Sequence, residues 1–207
     1  MRTLTSLFAA TLVATLFLTA SLSAQRQVMS PPVDKDRRGS NLIMIEGDSI
    51  AWVSVTWSAP QWKADYDKPG MLDRFKGQNV RLGKNWWTSL DTNVPLEISG
   101  KKLPAGAYFL GLHYTKDGEF HLVALDAKNA MQNSYMPWIG DQWKGGTHIP
   151  LKLNKDKLAK TAQKMQMALK ADKGGSTGSF DIHWGKHELH ADIKFPTADA
   201  QDSDSDK

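Results

Sequence analysis

Residues 181–195 read D-I-H-W-G-K-H-E-L-H-A-D-I-K-F, with apolar and polar side chains alternating on both sides of Gly185-Lys186. A two-residue connection with glycine in first position favours a type II′ turn, whose twist matches that of two paired strands. Alternation with a period of two is typical of strands that bury one face. The stretch therefore predicts a β-hairpin and, with it, a β-rich fold.

The register of this hairpin gives it two chemically different faces. Asp181 should lie opposite His190, and His183 opposite Glu188, on the outer face. We expect these four groups to form solvated cross-strand ion pairs. Two imidazoles and two carboxylates can alternatively hold a divalent metal ion that activates water. The inner face should contribute to the core with Phe180, Ile182, Leu189, Ala191 and Ile193.

Short runs rich in β-branched and aromatic residues predict further strands. One pair of runs forms a second hairpin around residues 116–118, and its register decides whether His113 faces His121. A three-residue loop places the two histidines opposite each other, whereas a two-residue turn at 117–118 places His121 against Tyr114. The predicted strands cover residues 42–45, 50–57, 85–88, 94–99, 107–114, 120–125 and 148–153, with irregular loops at 61–80 and 126–147.

Residues 157–170 fit two kinds of secondary structure. Leu158, Ala162, Met165 and Leu169 follow a helical spacing. Met165 and Leu169 also belong to an alternating apolar pattern that fits a strand. Periodicity leaves both possibilities open.

The two ends of the chain predict export. Residues 1–24 have the basic start, apolar centre and small-residue exit of a secretory signal peptide. Residues 25–41 are polar and rich in turn-forming residues, and we expect a disordered linker there. Residues 42–196 should form a single domain, followed by an acidic disordered tail at 197–207. The chain has no cysteine, so a periplasmic or extracellular domain of this kind depends on its core for stability.

Charge and motifs exclude several classes of function. The net charge of +4 is too small and too dispersed to predict nucleic-acid binding. No segment after the signal peptide is apolar enough to predict a membrane span. The common nucleophile, zinc-protease and nucleotide-binding motifs are absent from the sequence. The sequence therefore predicts no catalytic residue.

Four segments together resemble a family of exported bacterial proteins, catalogued as a domain of unknown function, that shares a W-R-T-G-A-N-like segment and a G-K-x-L-P-A-G-x-Y turn. They are V-S-V-T-W-S-A-P-Q-W-K at 53–63, G-K-N-W-W-T at 83–88, G-K-K-L-P-A-G-A-Y at 100–108 and W-G-K-H-E-L-H-A-D-I at 184–193. The resemblance implies an antiparallel β-sandwich, jelly-roll-like or immunoglobulin-like, with residues 163–170 as a strand. No activity is established for this family.

The chain departs from that pattern in its second segment. Trp87 stands where the family has arginine, and Ser89-Leu90-Asp91 stands where it has Gly-Ala-Asn. The loss of the arginine removes a side chain that could bind a carboxylate. Asp91 retains a group able to form hydrogen bonds.

The eight tryptophans suggest a binding surface. Adjacent Trp86 and Trp87 should point to opposite sides of a strand, so at most one of them enters the core. Trp87, Trp138 and Trp143, with Asp91 as a polar partner, can line an aromatic cleft for a glycan or an extended peptide. A second layer formed by residues 135–144 can instead bury these rings.

These observations predict an exported, non-catalytic binding or structural module of the cell envelope or extracellular space, with no cofactor. The alternative is a metal-dependent hydrolase that uses Asp181, His183, Glu188 and His190.

Overall fold

The computed structural model describes residues 34–195. Within them the chain forms twelve strands, one short α-helix and three 3₁₀ turns. The strands are β1 (Arg37–Glu46), β2 (Ser49–Ser58), β3 (Gln78–Arg81), β4 (Thr88–Thr92), β5 (Leu96–Ile98), β6 (Lys101–Leu103), β7 (Gly106–Tyr114), β8 (Phe120–Asp126), β9 (Thr147–Asn154), β10 (Ala162–Ala171), β11 (Thr177–Gly185) and β12 (His187–Lys194). The helix is α1 (Ala127–Gln132), and the 3₁₀ turns are Ala64–Asp67, Asp73–Phe75 and Gly140–Trp143.

The strands form one hydrogen-bonded sheet. Its main path runs β1-β2-β4-β7-β8-β9-β12-β11-β10, and every neighbouring pair on that path is antiparallel. The two end strands approach each other, since the backbone N–H of Leu169 on β10 donates to Ser40 Oγ on β1 at 3.0 Å. The all-β prediction is confirmed. Within residues 34–195 no helix is long and apolar enough to cross a membrane.

The sheet encloses one main core. Alternate residues of the strands point into it, and Val53, Val55 and Ile149 are completely buried. A second, smaller cluster lies on the other side of β8 and consists of Trp87, Val123, Leu125, Ala130 and Trp143. Strand β8 is therefore buried on both faces, because α1 and the Gly140–Trp143 turn contribute to the cover of its outer side.

The first strand begins inside the predicted linker. Residues 25–41 were expected to be disordered, but β1 starts at Arg37 and pairs with β2 along its whole length. Asp36 anchors this start through ion pairs with Lys84 and Lys164, both at 2.5 Å, and their hydrogen bonds lower its pKa to about 2. The linker prediction is therefore wrong for 34–41. Residues 25–33, the signal peptide at 1–24 and the tail at 197–207 lie outside the described residues.

The two predicted irregular loops contain short regular elements. The 61–80 segment holds two 3₁₀ turns and most of β3, and the 126–147 segment holds α1 and the third 3₁₀ turn. The helix α1 spans six residues, which is too short to produce a periodic pattern in the sequence. The predicted strand at 85–88 begins only at Thr88. The strand predicted at 163–170 is confirmed as β10.

Candidate functional site

The β11–β12 hairpin has the register that its turn predicts. His183 pairs with Glu188, and Asp181 pairs with His190. Gly185 adopts φ +66°, which suits the first position of a type II′ turn. A Cβ at Gly185 would also lie 2.6 Å from the Trp62 ring, so glycine is required for space as well as for conformation.

The two carboxylates predicted on the outer face of this hairpin are buried. The predicted inner face is buried as expected, with Phe180 and Ile182 each 2% exposed. Asp181 is only 3% exposed and Glu188 only 8%, so the prediction of solvated ion pairs is wrong. The reason lies in the flanking strands, because β10 brings Lys170 and β9 brings Asn154 against the two carboxylates.

Asp181 has donors on both carboxylate oxygens. Lys170 Nζ donates to Oδ2 at 2.8 Å and Ser179 Oγ to the same oxygen at 3.1 Å. His190 Nδ1 lies 2.7 Å from Oδ1. Burial raises the pKa of Asp181, but the hydrogen bonds from Lys170 and His190 outweigh it, so that pKa lies below its usual value. The carboxylate is therefore held ionised.

The contact that lowers the pKa of Asp181 raises the pKa of His190. Burial lowers the pKa of His190, but hydrogen bonds to Asp181 and, through Nε2 at 3.1 Å, to Asp192 raise it above its usual value. Protonated His190 is thus stabilised between two carboxylates. His190 forms a charge-assisted contact with each.

Glu188 forms the second half of the network. Asn154 Nδ2 donates to it at 2.9 Å, and His183 Nε2 lies 2.9 Å from its other oxygen. Burial raises the pKa of Glu188, but these two hydrogen bonds outweigh it and hold the pKa below its usual value. All four side chains predicted as metal ligands are therefore brought together as two hydrogen-bonded acid–imidazole pairs.

Three of these four groups meet the geometric requirement for a shared ion. Ligand atoms of Asp181, Glu188 and His190 lie within 4.8 Å of one another. A metal here would compete with the Lys170 ammonium for Asp181. Chemically, the arrangement is an ion-pair network in which Lys170 and His190 already neutralise Asp181.

A groove of about 430 Å³ runs beside this network. It lies at β8, β9 and β12, and His190 and Asp192 line one part of it. His121 lines another part. This groove gives His190 access to a small molecule.

The predicted aromatic cleft is largely closed. Trp87 is stacked on Phe109 with ring centres 4.2 Å apart and contacts Trp143 edge to face at 5.3 Å. Trp87 is 6% exposed and Trp143 1%, so the prediction that these two rings contact a ligand is wrong. Residues 135–144 form the second layer that buries them. Asp91 lies in β4 between Ser54 and Ala107 on the neighbouring strands.

An exposed aromatic pair lies elsewhere. Trp86 and Trp138 are each 54% exposed, and their ring centres are 5.9 Å apart at 60°. Ile139, beside Trp138 in the chain, is 40% exposed. The sequence analysis predicted Trp138 as a ligand contact, but it predicted Trp87 rather than Trp86 as its neighbour. The adjacent tryptophans did signal that one of them would stay outside the core.

Of the two connections that the sequence allowed for the β7–β8 hairpin, the structure has the three-residue loop at 116–118. His113 pairs directly with His121, and Gly118 adopts φ +90°. The alternative that placed His121 against Tyr114 is excluded.

Comparisons with family models, with curated proteins and with solved structures found no match to this chain. A functional assignment therefore rests on the contacts and exposures described above.

Proposed function

We propose that this chain is an exported, non-catalytic binding module of the cell envelope or extracellular space that holds a glycan against Trp86 and Trp138. The observation that carries the proposal is the pair of half-exposed indoles, 5.9 Å apart. Exposed large aromatic side chains next to one another are typical of ligand-binding surfaces.

The surroundings of the pair favour rigid presentation. Trp86 is followed directly by Trp87, which is fixed by stacking on Phe109. Trp138 is followed by the turn that carries buried Trp143, whose Nε1 donates to the Pro137 carbonyl at 3.3 Å. Because both exposed rings are attached to buried neighbours, little conformational entropy is lost when a ligand binds.

A glycan fits this surface better than an extended peptide. Indole faces provide flat apolar area for the C–H face of a sugar ring, and nearby polar groups can bind hydroxyls. Asp141 and Lys144 form an exposed ion pair at 2.8 Å in the turn that follows Trp138. A bound strand would instead use backbone groups at a sheet edge, and neither tryptophan belongs to a strand.

The test is a titration of the mature protein with soluble cell-wall and plant oligosaccharides, by calorimetry and tryptophan fluorescence. We expect Trp86→Ala and Trp138→Ala each to weaken binding at least tenfold, or about 1.4 kcal/mol. Trp52→Ala is the matched control, since Trp52 is 39% exposed but lies on β2. Equal affinity in Trp138→Ala and wild type, or no binding across the panel, would contradict the proposal.

A second candidate is a metal-dependent hydrolase that uses Asp181, His183, Glu188 and His190. It is favoured by the convergence of three of these groups within 4.8 Å and by the groove beside His190. This candidate requires hydrolysis of an ester or phosphoester substrate that depends on a divalent ion. The activity should disappear in the His183→Ala, His190→Ala double variant, and metal-independent activity or none at all would reject it.

A further inference from the structure

Three histidines from neighbouring strands gather on the outer face of the sheet. His113 lies on β7, His121 on β8 and His148 on β9. Their ring centres are separated by 5.0 Å for His113–His148, 6.0 Å for His121–His148 and 6.3 Å for His113–His121. We call these three residues the sheet trio.

Strand register explains the cluster. His113 is directly opposite His121. His121 is opposite Pro150, so His148 occupies the same face of β9 two residues away. The intervening Ile149 points inward and is completely buried. The three imidazoles are therefore carried by paired backbone, which positions them more firmly than loops would.

The environment keeps at least two of these imidazoles neutral. Burial lowers the pKa of His113, and His121 lowers it further. Burial also lowers the pKa of His148, and both other histidines add to the effect. Neutral imidazole is the form that binds metal ions. Among residues 34–195, the closest carboxylate contact of the trio is Glu119, whose Oε2 lies 4.0 Å from His121 Nε2.

Asn79 orients one ring of the trio. Its Oδ1 lies 2.8 Å from His113 Nδ1, a contact that fits donation from Nδ1–H, and His113 also forms a hydrogen bond with the Gln78 backbone. Hydrogen bonding of the second ring nitrogen is the arrangement that fixes histidine ligands in metal sites. The contact restricts the orientation of the His113 ring.

We propose that the sheet trio binds one divalent transition-metal ion of the zinc class through three imidazole nitrogens. Zinc–nitrogen bonds of about 2.1 Å place the ring centres of three tetrahedral ligands roughly 5 Å apart. The His113–His148 ring centres already have this separation, and the other two pairs must approach by about 1 Å. Among the described residues, only Asp181, Glu188 and His190 bring three ligand atoms within 4.8 Å of one another, so the rings of the trio must turn and approach to share an ion. Water or Glu119 completes the coordination. Imidazole-only donor sets suit zinc, copper and nickel.

The proposal is independent of glycan binding and uses different residues from the candidate hydrolase. In the β11–β12 network an ammonium group already neutralises Asp181. In the sheet trio His148 meets both other rings edge to face, and among the described residues neither nitrogen of His148 has a hydrogen-bond partner. A cation therefore displaces nothing from His148.

The experiment uses mature protein without a polyhistidine tag, titrated with Zn²⁺ by calorimetry and with Co²⁺ by visible absorption. We expect one site per chain, with the visible bands of tetrahedral Co²⁺. His148→Gln and His121→Gln should each weaken the site at least about tenfold. His187→Gln is the matched control and should bind as wild type does, because His187 pairs with Asp67.

Thermal unfolding in chelator shows whether each variant is folded. If one of the two histidine variants does not fold, the other still tests the proposal. Absence of binding up to about 1 mM metal, or unchanged affinity in both variants, would overturn the proposal. Loss of binding in Asp181→Asn with full binding in His148→Gln would also overturn it and place the metal at the β11–β12 network.

Discussion

The six histidines divide into two sets of three on different parts of the sheet. Each histidine of the β11–β12 hairpin contacts a carboxylate, with His183–Glu188 at 2.9 Å, His187–Asp67 at 2.8 Å and His190–Asp181 at 2.7 Å. The sheet trio on β7, β8 and β9 packs imidazole against imidazole. The same side chain therefore serves charge pairing in one region and is available to bind metal in the other.

The difference comes from the side chains that surround each histidine. At His190, the hydrogen bonds to Asp181 and Asp192 outweigh burial and raise its pKa, and the pair is satisfied internally. In the sheet trio, burial and the repulsion between neighbouring imidazoles lower the pKa of His113 and of His148. Neighbouring side chains, rather than the number of histidines, decide the chemistry of each set.

The largest effect expected is the loss of stability on removing Asp181. Asp181→Ala leaves Lys170 and His190 without their shared carboxylate inside a half-buried network. Breaking such a pair from one side costs roughly 3 kcal/mol in the free energy of unfolding. Urea denaturation measures it. Asp192→Ala is the control, since Asp192 binds the same histidine but its side chain is 88% exposed; we expect near wild-type stability. An equal loss of unfolding free energy in both variants would contradict the distinction between the buried carboxylate and the exposed one.

A smaller effect should separate one histidine of each set. His190→Gln loses hydrogen bonds to two carboxylates, which should lower the free energy of unfolding by about 1.5–3 kcal/mol. His148→Gln loses ring contacts only, and in chelator it should change that free energy by less than about 0.5 kcal/mol. If both variants lost the same stability, the contrast between paired and unpaired histidines would be wrong.

The smallest effect is in the pH dependence of stability. His190 has a raised pKa in the folded state, so its contribution is fully present below about pH 6.5 and is lost as pH rises through the folded value. His148 has a lowered pKa, so its contribution is present above about pH 6.5 and declines as pH falls toward the folded value.

Unfolding curves in chelator between about pH 5 and pH 8 test these opposite signs. His148→Gln should reduce the loss of stability on the acid side, and His190→Gln should reduce it on the alkaline side. Changes of the same sign in both variants would contradict the assignment.

Sequence reasoning succeeded where a short connection determines register. Gly185-Lys186 sets every pair of the β11–β12 hairpin, and the loop ending in Gly118 sets the His113–His121 pair or its alternative. Turn geometry is local, so it can be predicted from a few residues. The assignment of β10 came instead from the family resemblance, because its period was ambiguous.

Prediction failed where contacts come from the strands that flank the hairpin. The burial of Asp181 and Glu188 depends on Lys170 and Asn154, which no local pattern links to them. His148 is separated from His121 by α1 and a 3₁₀ turn, so its place in the trio depends on the β8–β9 register.

The sequence analysis predicted disorder at the start of β1 for a related reason. Asp36 is fixed by Lys84 and Lys164, far along the chain. Polar sequence near a terminus therefore predicted disorder where remote ion pairs hold a strand.

The central claim is that neighbouring side chains divide the six histidines into a set paired with carboxylates and a set that we propose binds metal. The most direct measurement is an NMR titration of the imidazole resonances in the mature, untagged protein, with chelator and then with Zn²⁺. We predict pKa values below the usual range for His113 and His148 and above it for His190, with zinc shifting only the resonances of the sheet trio. The reverse order of pKa values, or zinc shifts at His183 and His190, would contradict the claim.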